Sequence, residues 1–274
     1  MSEPNVTALA REMLDAYTSG RFIPVPPSAR EGGIDVDTGY AVEAELVRMR
    51  GAAGHKTVGR KIGLANRAVW QALNLRTLVW ASMYDDTVHD ASDGHATLSL
   101  SHMRAPRIEP EIVVKLKASP RPGADAAAVL EAVEWMALGF EVVDCPFPDW
   151  KFKGGDFLAS LGLHAALVVG EPRPVARGEI SALVDKMATF TSRLSKNGEL
   201  VEQGGGKNVL GSPALCLAEF VAAVPAQRGV EPLRAGELIS TGSTTAAPPV
   251  APGERWTMEV DALNLSPLTV HLRE

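Results

Sequence analysis

The stretch Arg107–Leu116 constrains the fold of this chain more than any other, because it places two carboxylates inside an apolar run. Side chains of an extended strand alternate between two faces, so Glu109 and Glu111 share one face and the apolar residues share the other. Like charges at this spacing repel each other unless solvent, basic side chains or a divalent cation compensate them. Taken alone, the spacing favours a solvated face. Pro110 removes a ladder N–H, which predicts a sheet edge or a bulge.

The composition limits the classes of protein to which the chain can belong. It has 274 residues, 46% of them hydrophobic, which is enough to bury a large core. A net charge of -6 and the lack of any Lys/Arg run argue against nucleic-acid or anionic-membrane surfaces, since both need basic patches. We find neither a signal-peptide pattern nor the roughly 20 apolar residues of a membrane helix, and we expect a cytoplasmic protein. Cys145 and Cys216 form no C-x-x-C motif and are predicted to be buried thiols.

Helical periodicity predicts two N-terminal helices, at residues 5–19 and 38–51, with Asp37 capping the second. Period-two patterns predict strands, the longest of them at residues 56–64, 107–116, 136–144 and 158–170. His89 and His95 flank a polar turn and are predicted to lie on a loop rather than to bind metal. Strands and helices do not alternate regularly, which favours an α+β fold over a doubly wound sheet.

A third carboxylate, Glu141, lies in an apolar predicted strand. A buried charge costs free energy unless it is paired or ligated. One interpretation joins it with Glu109 and Glu111 as an all-oxygen set that suits Mg²⁺ or Mn²⁺. The other, to which we give equal weight, is a buried ion pair with a lysine. The lysines considered for that pair are Lys61, Lys151 and Lys153. The residues alone leave both interpretations open.

Two further segments bear on a site. Lys61 follows Arg60 in the sequence, and adjacent basic residues are usual on protein surfaces. A buried lysine, however, needs an anionic partner or loses its proton. A lysine whose pKa is lowered in this way can serve as a proton shuttle. The strand within residues 236–244 ends in a Gly/Ser/Thr turn whose hydroxyl and amide groups can hold a carboxylate.

Gly204–Lys207 lacks both phosphate-loop patterns and is predicted to be a flexible loop.

Six ordered segments span nearly the whole chain and are more specific together than any single motif. They are GRKIGLANRAVWQALNL (59–75), RIEPEIVVKL (107–116), FEVVDCPFPDWKF (140–152), KNGELV (196–201), GSP (211–213) and GELISTGSTTAAPPVAPGE (236–254). In this order they resemble the fumarylacetoacetate hydrolase superfamily. Within it, the resemblance is to the branch of 2-oxo-4-pentenoate hydratases and 2-oxo-3-hexenedioate (4-oxalocrotonate) decarboxylases.

The resemblance implies a mixed β-sandwich roll with a small helical N-terminal part. We accordingly divide the chain into an N-terminal helical capping region, residues 1–78, and a β-roll catalytic domain, residues 79–274. The resemblance also implies a divalent cation, Mg²⁺ or Mn²⁺, bound by the matching Glu109, Glu111 and Glu141.

The resemblance further implies roles for individual residues. Lys61 matches the active-site lysine of the branch, and Asp85 lies close to the position of its active-site acid. Candidate substrate-binding residues in and beside the motifs are Arg60, Lys151, Asp156, Ser160, Thr241, Gly242 and Ser243. The chain departs from the branch at Gly155–Phe157, where the branch commonly reads A-D-N-x-S. The missing Asn leaves the exact substrate open.

These features predict a metal-dependent lyase. A cation that chelates a 2-oxo acid through its carboxylate and adjacent oxygen stabilises the enolate formed when a proton or CO₂ leaves. We expect hydration of 2-hydroxypenta-2,4-dienoate to 4-hydroxy-2-oxopentanoate, in the catabolism of aromatic meta-cleavage products. Lys61 would supply or accept the protons, its pKa held down by the cation and by burial.

Three alternatives stay open. Decarboxylation of 2-oxo-3-hexenedioate needs a cation for the second carboxylate, and the candidates are Arg60, Lys151, Lys153 and Lys207. A C–C hydrolase of an acylpyruvate needs a Glu–His pair, for which His55 has no evident Glu partner. The third is a catalytically silent small-acid-binding or assembly subunit. We expect a homo-oligomer, possible association with a pathway enzyme, and no nucleic-acid or membrane partner.

Overall fold

The computed structural model describes residues 5–227 and 229–274, whose helices and two β-sheets confirm the predicted α+β class. The helices are α1 (Val6–Ser19), α2 (Val36–Ala52), α3 (Arg67–Leu73), α4 (Ala126–Glu131), α5 (Gly154–Ala159), α6 (Ile180–Thr189) and α7 (Pro213–Ala223). The strands are β1 (Thr57–Gly63), β2 (Val79–Tyr84), β3 (Val88–Asp90), β4 (His95–Ser99), β5 (Pro106–Leu116), β6 (Val133–Asp144), β7 (His164–Val169), β8 (Arg173–Pro174), β9 (Thr191–Lys196), β10 (Glu199–Gly205), β11 (Leu238–Ser243), β12 (Arg255–Val260) and β13 (Leu268–Arg273).

The larger sheet is rolled, and the connection between its two end strands shows this. Its strand order is β2-β1-β11-β5-β6-β7-β3, with β8 paired to β6. Only residues 85–87 separate β2 from β3, although these strands stand at opposite ends of that order. One face of the sheet contributes to the main apolar core. The other face carries a small apolar cluster beside the buried Lys61.

The smaller sheet has the order β10-β9-β12-β13-β4. β4 adds to it in parallel, with His95 paired to Thr269, while β3 pairs in parallel with β7 and places His89 opposite Val168. The prediction that His89 and His95 lie on a loop was therefore wrong. Both residues belong to short strands at sheet edges, because the polar turn that separates them is shorter than predicted.

The N-terminal helices follow their capping residues. Asn5 accepts a hydrogen bond from the N–H of Ala8 at the start of α1, and Gly20 ends that helix in the left-handed conformation. Helix α2 begins earlier than predicted. Asp35, not Asp37, is its N-cap, because the Asp35 carboxylate accepts from the N–H of Thr38 at 2.9 Å.

Strand β1 lies inside the larger sheet, between β2 and β11. The predicted domain boundary at residue 78 does not fit this arrangement, because it would separate β1 from its antiparallel neighbour β2. The helical part that precedes the sheets contains α1 and α2 and ends before Thr57. Lys61 is consequently carried by a central strand.

The strand predicted at residues 158–170 begins only at His164. Its first part is instead the end of α5 and a 3₁₀ turn, in which Leu161 and Leu163 adopt positive φ angles of 55° and 59°. Helix α5 packs closely on α2, where a Cβ on Gly39 would lie 2.7 Å from the carbonyl oxygen of Gly155. This contact requires glycine at position 39. The close packing on α2 that it allows favours the helical conformation of α5, whose last residues were predicted to be a strand from the alternating leucines.

Pro110 lies in a central strand, since β5 pairs with both β11 and β6. The register of β11 against β5 shifts between Ser240, which pairs with Val113, and Ser243, which pairs with Glu111, so β11 has a bulge opposite Ile112. The N–H of Thr244 donates to the carbonyl oxygen of Pro110 at 2.8 Å. Pro110 is therefore not at a sheet edge, and the bulge lies in the neighbouring strand β11, two residues along β5 from the proline.

One helical stretch, Gly206–Ala226, is long and apolar enough by length and composition to cross a membrane. This corrects the expectation that no such stretch exists. Half of it is buried inside the protein, and it consists of α7 flanked by two 3₁₀ turns. It is therefore a core helix, and its Cys216, like Cys145, is a buried free thiol.

Candidate active site

The strand register brings three carboxylates together on one sheet face. Glu109 lies directly opposite Glu141, and Glu111 lies one pleat further along β5. Lys61 shares this face, because it pairs with Ser240, which pairs in turn with a β5 residue on the same side as the glutamates. Carboxylate oxygens, one from each glutamate, lie within 4.8 Å of one another. Neither Glu111 nor Glu141 faces bulk water, since they are 1% and 0% exposed.

The turn at the end of β11 holds one oxygen of Glu111. Ser240 Oγ and the N–H of Gly242 donate to Glu111 Oε2 at 2.5 Å and 2.8 Å. Gly242 has a φ of +111°, and a Cβ there would lie 2.9 Å from Ala65 Cβ, so this turn requires glycine. The other oxygen, Glu111 Oε1, is buried and has no hydrogen-bond partner among residues 5–227 and 229–274.

Glu141 is held from two sides. His164 Nδ1 lies 2.8 Å from Glu141 Oε1, and Lys61 Nζ lies 3.0 Å from Glu141 Oε2. Lys61 also donates to the carbonyl oxygen of Gly162 at 3.1 Å. The Lys61–Glu141 ion pair considered from the sequence therefore exists. Its geometry leaves Glu141 Oε2 without an aligned hydrogen bond, as for Glu111 Oε1.

The electrostatics of this cluster are unbalanced. Burial raises the pKa of Glu109 to about 7 and that of Glu111 well above its usual range. Burial also raises the pKa of Glu141, but Lys61 and His164 outweigh it, and the net shift is downward. For Lys61, burial lowers the pKa while the three glutamates raise it, and the net shift is upward. In the protein alone the carboxylates therefore outweigh burial, and the lowered Lys61 pKa expected beside a bound cation stays a prediction.

The cluster fits a divalent cation. Three carboxylates beside one ammonium group leave two negative charges uncompensated if His164 is neutral. Among the described residues, Glu111 Oε1 has no hydrogen-bond partner, and Glu141 Oε2 has only the Lys61 ammonium group beside it, at 3.0 Å. Oxygen donors of this kind are what Mg²⁺ and Mn²⁺ prefer, and a divalent ion supplies the missing charge.

A cavity of about 690 Å³ opens above the cluster. Lys61, Glu109 and Glu111 line one side of it, together with Gly242 and Ser243 from the β11 turn. The remaining walls are mainly aromatic and apolar, with one lysine, two amides and a threonine, and include Val69, Trp150, Phe152, Phe157, Lys207 and Asn208. The cavity can bind a small acid with its carbon chain against the aromatic rings, and a cation at the glutamates would be needed to hold its carboxyl end there.

Asp85 does not lie with these residues. Lys61 pairs with Ala81, and Asp85 stands four positions beyond that partner, about 13 Å along the strand at the usual rise. It is exposed, accepts a hydrogen bond from the N–H of Lys56 at 3.0 Å and lies 3.9 Å from His55. The structure therefore corrects the expectation that Asp85 is an active-site acid of this cavity.

Three of the four candidate cations also lie elsewhere. Arg60 points to the opposite face of β1 from Lys61 and contacts Glu237 at 3.2 Å. Lys151 is exposed and contacts Asp149 at 3.1 Å, because a turn with positive φ at Asp149 directs it outward. Lys153 donates to the carbonyl oxygen of Ala72 at 2.8 Å. Within the described ranges, Lys207 is the one candidate that lines the cavity.

The other predicted substrate-binding residues have structural contacts. Asp156 is buried at the start of α5, where it accepts hydrogen bonds from the N–H and hydroxyl of Ser28 and from the N–H of Lys153. Ser160 donates to the Asp156 carbonyl oxygen at 2.6 Å. Thr241 points to the opposite sheet face and donates to the carbonyl oxygen of Ile112. Of the seven candidates, Gly242 and Ser243 line the cavity.

Sequence reasoning missed two residues of the cluster, His164 and Ser240. Ser240 precedes the predicted turn, and its position on the same face as Lys61 depends on strand pairing that the sequence does not show. His164 was hidden in a strand predicted from its alternating leucines. A histidine within such an apolar run was the available signal, because a buried imidazole needs polar partners.

Comparisons with known proteins agree with this geometry. The chain is 30% identical over 255 residues to 2-hydroxyhexa-2,4-dienoate hydratase of Comamonas testosteroni, covering 92% of each chain. It is 33% identical over 226 residues to 4-oxalocrotonate decarboxylase of Pseudomonas sp. (strain CF600), covering 82% and 81% of the two chains. The structure of 4-oxalocrotonate decarboxylase from Pseudomonas putida G7, complexed with magnesium and adipate, matches with a TM-score of 0.87 and 28% identity, covering 99% and 98%. A scan against protein-family models gave no match.

Fold and site together define a lyase with the fumarylacetoacetate hydrolase fold. The chain belongs to the family of 2-hydroxydienoate hydratases and 4-oxalocrotonate decarboxylases, which confirms the resemblance found in its motifs.

Proposed function

We propose that this protein hydrates 2-hydroxypenta-2,4-dienoate to 4-hydroxy-2-oxopentanoate with the help of Mg²⁺ or Mn²⁺. The observation that carries the proposal is the convergence of Glu109, Glu111 and Glu141 beside Lys61 at the floor of a cavity of small-molecule size. The three glutamates would hold the cation. When bound, it supplies positive charge for the carboxylate and adjacent oxygen of the substrate.

Lys61 is the proposed proton donor. The Lys61 ammonium group lies on the cavity wall. Its contacts with Glu141 and with the carbonyl oxygen of Gly162 fix its position relative to a bound substrate. A proton added to the terminal carbon of the dienol, with loss of the 2-hydroxyl proton, gives an enone; water then adds with its oxygen at C4 and one of its protons at C3. The rings of Phe152 and Phe157 flank the space for the carbon chain and limit the access of further water.

Decarboxylation of 2-oxo-3-hexenedioate is the second candidate, because Lys207 lines the same cavity. A substrate with a distal carboxylate would find a cationic partner there, away from the three glutamates. Loss of that carboxylate as CO₂ leaves a dienolate, which takes one proton to become the dienol. Both reactions therefore use the same residues around the 2-oxo acid and differ at the far end of the cavity.

The structure gives less support to a C–C hydrolase. Its Glu–His contact, Glu141 with His164, is buried beneath the cavity, and His164 is 2% exposed and does not line it. His55 contacts Asp86 at 3.3 Å on an exposed surface, on the far side of β2 from the cluster. Neither histidine is placed to activate a water molecule against a bound substrate.

The test is incubation of purified protein and Mg²⁺ with each substrate separately. Loss of dienol absorbance is expected with 2-hydroxypenta-2,4-dienoate, and CO₂ release with 2-oxo-3-hexenedioate would support the second candidate. If neither compound is consumed by folded, metal-loaded protein, both proposals are wrong and the silent small-acid-binding alternative gains support.

Lys207 separates the two candidates further. Lys207→Ala should leave turnover of the monocarboxylate within about threefold and reduce kcat/KM for the dicarboxylate at least tenfold, a loss typical of a charge-assisted contact. Lys186→Ala, an exposed lysine on α6, is the matched control and should change neither. Equal effects of Lys207→Ala on both substrates would contradict a role in binding the distal carboxylate.

The proposal also includes a cytoplasmic location and a homo-oligomeric assembly, with a pathway enzyme as a further partner. Support comes from the relatives, which are named as enzymes acting on small organic acids. Light scattering of the purified protein, alone and mixed with the enzyme that makes its substrate, tests the two assemblies.

A further inference from the structure

A buried chain of polar contacts runs from Glu141 away from the cavity. His164 Nδ1 lies 2.8 Å from Glu141 Oε1, and His164 Nε2 lies 2.9 Å from Thr87 Oγ1. Thr87 Oγ1 also contacts the backbone of Tyr84, accepting from its N–H at 3.2 Å and lying 3.1 Å from its carbonyl oxygen. His164 and Thr87 are 2% and 5% exposed, so solvent cannot replace these contacts.

We propose that His164, fixed by Thr87, is a positioning residue that holds Glu141 so that Oε2 faces the cation. The proposal rests on the proposed function in assuming that Glu141 is a metal ligand. The further claim is that the Glu141 carboxylate is held in one orientation. Its Oε1 accepts from the imidazole, because an ionised carboxylate has no proton to donate, and Oε2 remains for the cation and Lys61.

A bulge in β7 places His164 for this contact. The pairing runs from Glu141 with Leu167 and Val142 with Ala166 to Val143 with His164, so Ala165 is an extra residue. Without it, alternation would turn His164 to the sheet face opposite Glu141. With it, His164 stands opposite Val143 and shares the face of Glu141. Bulges commonly redirect a side chain next to a functional site.

The two most deeply buried glutamates are held in the same way. Ser240 and Gly242 occupy one oxygen of Glu111, as His164 occupies one oxygen of Glu141. The second oxygen of Glu111 has no donor among the described residues, and the second oxygen of Glu141 contacts only Lys61 Nζ. Fixing a ligand before the cation arrives lowers the entropy cost of binding, and partners of this kind are typically worth about 10–100-fold in metal affinity.

The test measures Mn²⁺ affinity of the metal-free protein without substrate, by electron paramagnetic resonance of free Mn²⁺. His164→Gln keeps a polar group near Thr87 but has no donor at the Nδ1 position, and we expect about 10–100-fold weaker binding. His164→Asn restores a donor at that position but loses the contact with Thr87, so it should bind only about three- to tenfold more weakly than the natural protein. His271→Gln, on an exposed strand position, is the matched control and should bind normally.

Equal Mn²⁺ affinity of natural protein and folded His164→Gln would overturn the proposal, as would equal losses in His164→Gln and His164→Asn. If His164→Gln does not fold by circular dichroism, Thr87→Val decides. Thr87→Val keeps the imidazole but removes the hydroxyl that contacts His164 Nε2, and Mn²⁺ affinity should fall about three- to tenfold. An unchanged affinity would reject the proposal. If Mn²⁺ affinities follow the expected order but the natural protein consumes neither substrate, the proposed function is wrong and the positioning role of His164 stands.

Discussion

Two cavities lie on opposite faces of β1, and the larger one is not the candidate active site. Arg60 points into a cavity of about 1180 Å³, and Lys61 into the one of about 690 Å³. In the larger cavity charged groups have partners, since Arg60 contacts Glu237 at 3.2 Å and Glu43 accepts from the N–H of Ser82 at 3.0 Å. In the smaller one, three carboxylates meet one lysine.

The difference teaches that uncompensated charge, not volume, marks the site in this protein. Burial raises the pKa of Glu43 as it does that of Glu109 and Glu111. A raised pKa alone therefore does not separate the two cavities. Buried polar atoms without a partner among the described residues occur at both, since Arg60 Nη1 and the Tyr40 hydroxyl are such atoms at the larger cavity. What separates the two cavities is that Glu109 and Glu111 face further carboxylates, whereas Glu43 faces Arg60.

Lys61→Met should have the largest effect on activity. Losing the general acid lowers kcat by about 10²–10⁴-fold, while Mn²⁺ affinity stays equal or increases because a positive neighbour of Glu141 is removed. Steady-state kinetics and a metal titration on the same sample measure both. Retained turnover in folded Lys61→Met would remove this residue from the mechanism.

Metal should stabilise the protein more at high pH than at low pH. The folded-state pKa of Glu109, about 7, and that of Glu111 exceed the values of unfolded glutamates, so the folded metal-free protein binds more protons than the unfolded chain. The stability contributed by these two groups is complete below the unfolded pKa and is lost as pH rises through the folded pKa. A cation replaces those protons.

Thermal unfolding at pH 6 and pH 8, with and without Mg²⁺, measures this dependence. We expect the rise in Tm on adding Mg²⁺ to be greater at pH 8. A larger rise at pH 6 would indicate that the ion binds somewhere other than at the glutamates.

Arg60→Gln should have the smallest effect on activity, although Arg60 is adjacent to Lys61. Its partners, Glu237 and the carbonyl oxygen of Glu231, lie at the larger cavity. We expect turnover within about twofold of the natural protein and a loss of about 1 kcal/mol in the free energy of unfolding in urea, as for other partly exposed ion pairs. A loss of turnover comparable to that of Lys61→Met would show that the two cavities are functionally coupled.

The sequence predicted what local rules determine. Alternation on β5 placed Glu109 and Glu111 on one face, and the apolar setting of Glu141 indicated a paired or ligated carboxylate. The caps of α1 at Asn5 and Gly20 were also predictable, because they depend on neighbouring residues alone.

What the sequence did not predict depends on contacts between distant segments. The resemblance made Asp85 a candidate for the active site, but antiparallel pairing carries it to the far end of β2. His164 reaches Glu141 only because of the extra residue in β7, which alternation cannot reveal. The domain boundary failed for the same reason, since β1 joins strands from much later in the chain.

The central claim is that Glu109, Glu111 and Glu141 form a single divalent-cation site. Its most direct test is Mn²⁺ titration of the metal-free protein beside two matched variants, Glu111→Gln at the smaller cavity and Glu43→Gln at the larger one. We predict one ion per chain in the natural protein and in Glu43→Gln, and at least about 100-fold weaker binding in Glu111→Gln. No saturable binding in folded protein, or equal binding by both variants, would contradict the account.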